Sequence, residues 1–208
     1  SAVLMRQDLA WSQLYGANAR ALKRWHSEAD STPVGLCGVD LHGWTDAQKN
    51  LNHWNIVLPG PMPEKIEEKE SHIYNHLANG AFYCSSTQNN QIIDMNLTLV
   101  DQAGTQKDFQ SKLSFDSPQL LSVELPPQET NLLRIVLYRN GQRLMAQPGP
   151  ILEYKRPGPG VYRVELEAEL PKLLEGHYRA TLAYSNFVKI AESLPDTQEL
   201  SLQTETTN

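Results

Sequence analysis

Asp40 and His42 stand one residue apart in the run Gly38-Val39-Asp40-Leu41-His42-Gly43. The run is preceded by Pro33-Val34-Gly35-Leu36-Cys37, a short apolar stretch without alternation. That pattern predicts a strand over Val34–Asp40, buried on both faces of a parallel sheet. Side chains alternate along a strand with period two, so Asp40 and His42 share a face at its end. A carboxylate and an imidazole on one face at the C-terminal rim of a parallel sheet suit two roles: metal ligands, or an acid/base pair. On spacing alone the ordinary alternative stands beside these, an Asp that caps the next turn and a His at the surface. Trp44 and His53 follow closely and are candidates for the rim of a pocket at this site. Their ordinary alternatives are core packing for Trp44 and plain loop exposure for His53. Asp46 is a further candidate to back a metal site.

Other chemistry-bearing residues point to less. His72 and His76 are four apart with Glu68 one turn earlier, which puts three potential ligands on one helix face. The H-E-x-x-H pattern is not met, because Ile73 follows His72, and a solvated face is the expectation. Asn96-Leu97-Thr98 fits a glycosylation acceptor but sits mid-strand. Ser85 and Ser86 have no His and Asp nearby in sequence to activate a hydroxyl. Tyr83, Tyr138, Tyr154, Tyr162, Tyr178 and Tyr184 would stack sugars if several shared an exposed face; the common alternative is core and rim packing. Cys37 and Cys84 fall in separate predicted strands. Two buried free thiols are expected, with a bridge geometrically open, so the compartment is not decided by them.

The elements that must position these residues divide the chain in two. Apolar positions 11, 14, 15, 22 and 25 follow a helical period and predict helix over about 7–28, with Gly16 as a potential break. Helix, polar stop and buried strand make the αβ half of an α/β unit over residues 1–60. Pro59-Gly60-Pro61-Met62-Pro63 punctuates, and a connecting helix is predicted over Glu64–Asn79, ended by Asn79-Gly80. Its acidic first turn suits the positive end of the helix dipole, and Ile66, Ile73, Tyr74 and Leu77 form an apolar stripe. From Ala81 short β-type runs recur: Ala81–Ser86, Ile92–Val100, Lys112–Phe115, Leu120–Leu125, Leu132–Arg139, Arg143–Ala146, Val161–Ala168, His177–Tyr184 and Phe187–Ala191. Asn140-Gly141 is the strongest hairpin signal. Val161, Arg163 and Glu165 against Tyr162, Val164 and Leu166 alternate as one wet and one buried face. The fold class expected is therefore α+β, with an immunoglobulin-like antiparallel β-sandwich over 81–191 and a flexible polar tail over 192–208.

The chain has 208 residues, 40% hydrophobic and 20% charged, which is ordinary globular composition. A net charge of −6 argues against sequence-independent nucleic-acid binding, which needs a basic excess. No apolar run approaches the ~18 residues of a membrane span. The start, Ser1-Ala2-Val3, reads as a processing point or boundary without a signal segment; the compartment stays open, with export of an intact protein among the readings. The length falls short of the about 250 residues of a full (β/α) barrel.

Gly38-Val39-Asp40-Leu41-His42-Gly43 resembles the last metal-binding motif of the PHP (polymerase-and-histidinol-phosphatase) metallohydrolases. Ala81-Phe82-Tyr83-Cys84-Ser85 is similar to the segment that follows the family's post-barrel helix. Ile135 to Gly141, Gly160-Val161-Tyr162-Arg163-Val164-Glu165 and Tyr184-Ser185-Asn186-Phe187-Val188 resemble later segments of the carbaryl-hydrolase-like branch, which appends a small β-sandwich to the barrel. The resemblance covers about residues 10–190. It implies that residues 1–60 are the C-terminal αβ remnant of a distorted (β/α)₇ barrel, and that Asp40 and His42 are metal ligands. It also implies divalent ions (zinc, manganese or iron) and a small-molecule ester or phosphoester substrate in the intact protein. The family's His-x-His and its earlier ligands are absent here, and only His26 precedes Asp40. Two ligands from one strand do not hold a catalytic zinc, which takes about three protein ligands and an open position. The chain alone is therefore expected to be inactive and to hold no metal tightly. The other readings are a protein- or glycan-binding module and a homologue that has lost catalysis. A strand over Val34–Asp40, apolar on both faces, would expose an edge. That predicts homodimerisation, association with the missing barrel portion, or a rearranged position for residues 1–60.

Overall fold

The computed structural model describes Cys37 and residues 54–88, 91–109, 114–116, 118–126, 133–171 and 177–191. Among the described residues thirteen strands and one helix follow in order: β1 (Trp54–Val57), α1 (Ile66–Asn79), β2 (Tyr83–Gln88), β3 (Gln91–Ile92), β4 (Asn96–Val100), β5 (Gln106–Asp108), β6 (Ser114–Asp116), β7 (Leu120–Glu124), β8 (Leu133–Arg139), β9 (Gln142–Pro148), β10 (Ile151–Lys155), β11 (Gly160–Pro171), β12 (His177–Ser185) and β13 (Val188–Ala191). The chain is α+β, dominated by antiparallel sheet. Helix over 7–28 and the 192–208 tail lie outside the described residues. So does the strand expected over Val34–Asp40, apart from Cys37, which sits in no regular element.

The strands form two sheets arranged as a sandwich. In the smaller, four-stranded sheet the order is β10-β7-β4-β5. In the larger, nine-stranded sheet β11 is the hub: β8 and then β9 lie along one edge, β12 and β13 along the other. Beyond β12 come β2 and β1. Among the described strands only the β13–β6 pair is parallel. Period-two alternation selects the inner faces. Tyr83, Ile135, Leu137, Tyr162, Val164, Leu166 and Ala183 from the large sheet share one core with Leu97, Leu99, Leu121, Val123 and Leu152 from the small one.

Local chemistry fixes the joints. Asn140 (φ 49°) and Gly141 (φ 74°) both take positive φ, the signature of the type I′ turn that the Asn-Gly dipeptide predicts. The Asn140 Oδ1 accepts the Val161 N–H at 2.8 Å, and the Asn140 N–H donates to the Val161 carbonyl at 2.8 Å. Arg139 donates Nε and Nη2 to the Pro159 carbonyl, at 3.1 and 2.6 Å. The hairpin tip thus clamps the Pro157–Gly160 loop at the start of β11. Where β12 gives way to β13, the Ser185 hydroxyl accepts the Val164 N–H at 2.9 Å, filling a break in the ladder. Asn186 Nδ2 donates to the Phe82 carbonyl at 3.3 Å. Between β2 and β4, the Tyr83 hydroxyl donates to Asp94 and accepts the Met95 N–H, each at 3.0 Å.

α1 begins near the predicted position and ends as predicted. Gly80 adopts the left-handed conformation (φ 65°), its N–H bonding Leu77 while the Ala81 N–H bonds His76, a Schellman closure. None of its residues is buried; Ile66 is 77% exposed and Tyr74 66%. The sequence reading leaves β1, β5 and β10 without strands. β5 is three exposed polar residues, and β10 alternates between two Pro-Gly clusters that look like one long loop.

Candidate functional site

Asp40, His42, Trp44 and His53, and with them Asp46, lie outside the described residues. The described residue that leads to them is Cys37, three positions before Asp40. It forms a disulfide with Cys84 of β2, with the Cα atoms 6.0 Å apart. This corrects the expectation of two free thiols. In β2 the core residue is Tyr83, so its neighbour Cys84 projects from the opposite face of the sheet, where a partner can reach it. Nothing in the composition around Cys84 signals this, because its burial reads the same whether the sulfur faces a core or a bridge.

The register places Cys84 in a row that crosses the large sheet. Ile56 faces Cys84, Cys84 faces Tyr184, Tyr184 faces Glu165, and Glu165 faces Val136. Directly paired residues project to the same side, so this row lies on the face turned away from the sandwich core. Next to it Arg163 pairs with Tyr138, and Glu167 with Arg134.

Charge gathers on that outer face. Arg163 is 1% exposed and ion-paired with Glu165 through Nη2 and Oε1. Glu165 also accepts the Thr181 hydroxyl at 3.2 Å. The Arg163 guanidinium lies 5.0 Å from the centroid of the Tyr138 ring. Arg143 of β9 meets Glu167 at 3.5 Å. Burial lowers the Arg163 pKa, and the Glu165 carboxylate opposes that shift. Burial pushes the Glu167 carboxyl up, with Arg143 opposing. Burial, then the Glu165 and Glu167 charges, push the Tyr138 phenol up to about 12. The arrangement is a buried ionic cluster on the outer face of the sheet. The sequence carries a signal for it, since Arg163, Glu165 and Glu167 occupy the alternate phase of β11, but that phase reads as solvent-facing.

The other candidates resolve plainly. Glu68 pairs with Lys65 at 3.1 Å on the surface. His76 Nδ1 donates to the His72 carbonyl at 2.9 Å, and the two imidazoles lie 4.1 Å apart between centroids. Among the described residues no group of three or more His, Cys, Asp or Glu side chains could hold a metal ion. Ser85 is buried, its hydroxyl donating to the Ile93 carbonyl at 2.9 Å and accepting the Ile93 N–H at 3.1 Å, which is a structural role. Tyr83 and Tyr162 belong to the core and Tyr138 lies under Arg163, so these three are not on an exposed stacking platform. Asn96 lies within β4, where Leu97 and Thr98 are buried. A groove of about 360 Å³ between Pro118-Gln119 and Arg156–Pro159 is lined by no carboxylate, imidazole or thiol. Among the described residues no helix is long and apolar enough to cross a membrane. Comparison with protein-family models, curated proteins and solved structures finds no match.

Proposed function

We propose that this chain is the C-terminal portion of a metal-dependent ester or phosphoester hydrolase of the PHP type. In this reading Asp40 and His42 are metal ligands, and Trp44 and His53 edge the site. Residues 1–60 are the last αβ part of the barrel, and the sandwich, of immunoglobulin-like kind, packs beside it. The observation that carries the reading is the Cys37–Cys84 disulfide. It ties the segment ending in Asp-x-His to β2, the first strand after the connecting helix, and the resemblance sets those two segments on either side of the barrel–sandwich junction.

Zinc, manganese or iron ions bound there would lower the pKa of water and stabilise charge developing on an ester or phosphoester. The Asp40 carboxylate and the His42 imidazole, on one face of the expected strand, would supply ligands from one side only. The remaining ligands belong to an earlier His-x-His segment, so the 208-residue chain by itself is inert. The test is hydrolysis of p-nitrophenyl phosphate and p-nitrophenyl acetate by the product of the complete reading frame. The reading expects activity that falls to background in Asp40→Ala and in His42→Ala. Undiminished activity in both variants, or a reading frame with no His-x-His ahead of Ser1, overturns it.

A further inference from the structure

We propose that the outer face of the large sheet is an interdomain seat occupied by the chain segment around Cys37. The Arg163–Glu165 pair forms its ionic floor, and the Cys37–Cys84 disulfide is its bolt. The inference is independent of metal binding at Asp40 and His42.

Three observations carry it. The middle of this face is inaccessible although it points away from the sandwich core: Val136 is 0% exposed, Cys84 and Arg163 1%, and Glu165 5%, while Ile56 at the rim is exposed. An uncovered sheet face would leave a guanidinium and a carboxylate in water, where both are better solvated. The described elements do not supply the cover. The small sheet lies against the opposite face, sharing the core of Tyr162, Val164 and Leu166. α1 buries none of its residues. The third observation names the occupant. Cys84 sits within the covered row, between Ile56 and Tyr184, and its sulfur is bonded to Cys37. A covalent bond from within the covered face brings the segment around Cys37 to it. The chemistry of the seat fits such a segment: two aliphatic side chains, Ile56 and Val136, stand at the two ends of the row, with Tyr184 and one ion pair between them. The run Val34-Gly35-Leu36-Cys37-Gly38-Val39 is apolar and adds no charge that would compete with that pair.

The experiment places a photo-cross-linker in the row. p-Benzoylphenylalanine replaces Tyr184 in one variant of the full chain and Ile56 in another. Ile56 is at the rim, 38% exposed, so the large side chain enters there without displacing the core. Cooperative unfolding first establishes that each variant is folded. After irradiation, peptide mapping is expected to find the cross-link on the peptide that contains Cys37, in both variants. A non-reducing map of the unmodified protein is expected to find the Cys37 and Cys84 peptides joined. Cross-links to α1, to a second copy of the chain, or to nothing overturn the proposal. So does alkylation of both cysteines in the native protein without reductant.

Discussion

Removing one member of the Arg163–Glu165 pair should cost far more than its surface counterpart. Both side chains are nearly inaccessible. Glu165→Ala leaves a buried guanidinium facing the Tyr138 ring without its carboxylate, and loss of one partner of a buried pair costs about 3–5 kcal/mol. Urea denaturation measures this. Arg143→Ala, at a side chain 38% exposed, should cost no more than about 1 kcal/mol. Asp101 gives a pH-dependent case. Its Oδ1 accepts the Ala103 and Thr105 N–H groups at 2.9 Å each in the β4–β5 turn. The Thr105 N–H foremost holds its pKa below the ordinary value. A depressed carboxylate pKa gives stability that is fully present above the unfolded value and is lost as pH falls through the folded one. Thermal melts of Asp101→Asn from neutral to acid pH should therefore show a shallower loss than the wild type over that range.

At the scale of elements, the joints carry the specificity. Gly160 has φ 149°, and a Cβ there would stand 3.0 Å from both Asn140 Oδ1 and Arg139 Nε. Gly160→Ala should therefore displace the clamp between the hairpin tip and β11, at about 1–3 kcal/mol by equilibrium unfolding. Asn140→Ala removes the acceptor of the Val161 N–H and should cost about 1–2 kcal/mol. The hairpin was legible because Asn-Gly has one favoured use between alternating strands. β11 was legible because its inner phase, Tyr162, Val164, Leu166 and Ala168, is uniformly apolar. β1, β5 and β10 were not: each is an edge strand whose pairing comes from its neighbour's open ladder, and runs of three to five polar or mixed residues are too short to establish a period. The buried ionic face was misread for a related reason. Alternation separates two phases, and it does not say whether the polar phase meets water or a second layer.

For the whole molecule, the disulfide is the feature that joins the two regions of the chain. It closes a separation of 47 residues, and chain entropy gives about 4 kcal/mol for such a loop. Cys84→Ser, or reduction with a dithiol, should lower the unfolding free energy by about 2–4 kcal/mol in urea. A bridge of this kind persists in oxidising compartments, which favours maturation of the protein there. The candidate ligands themselves were legible only as a motif. On the expected strand Asp40 and His42 would share a phase, and the carboxylate–imidazole chemistry follows from that; in the proposed reading the ligands that complete a site belong to an earlier part of the protein, which this stretch of sequence does not carry. The central claim is that Asp40 and His42 are the last ligands of a metal site completed by an earlier part of the protein. Metal analysis of the purified complete product, beside its Asp40→Ala and His42→Ala variants and the 208-residue chain, tests it most directly. The account predicts stoichiometric zinc, manganese or iron in the complete product, a loss of bound metal in each variant, and none held tightly by the 208-residue chain. A complete product without metal, or one whose metal content is untouched by both substitutions, would contradict it.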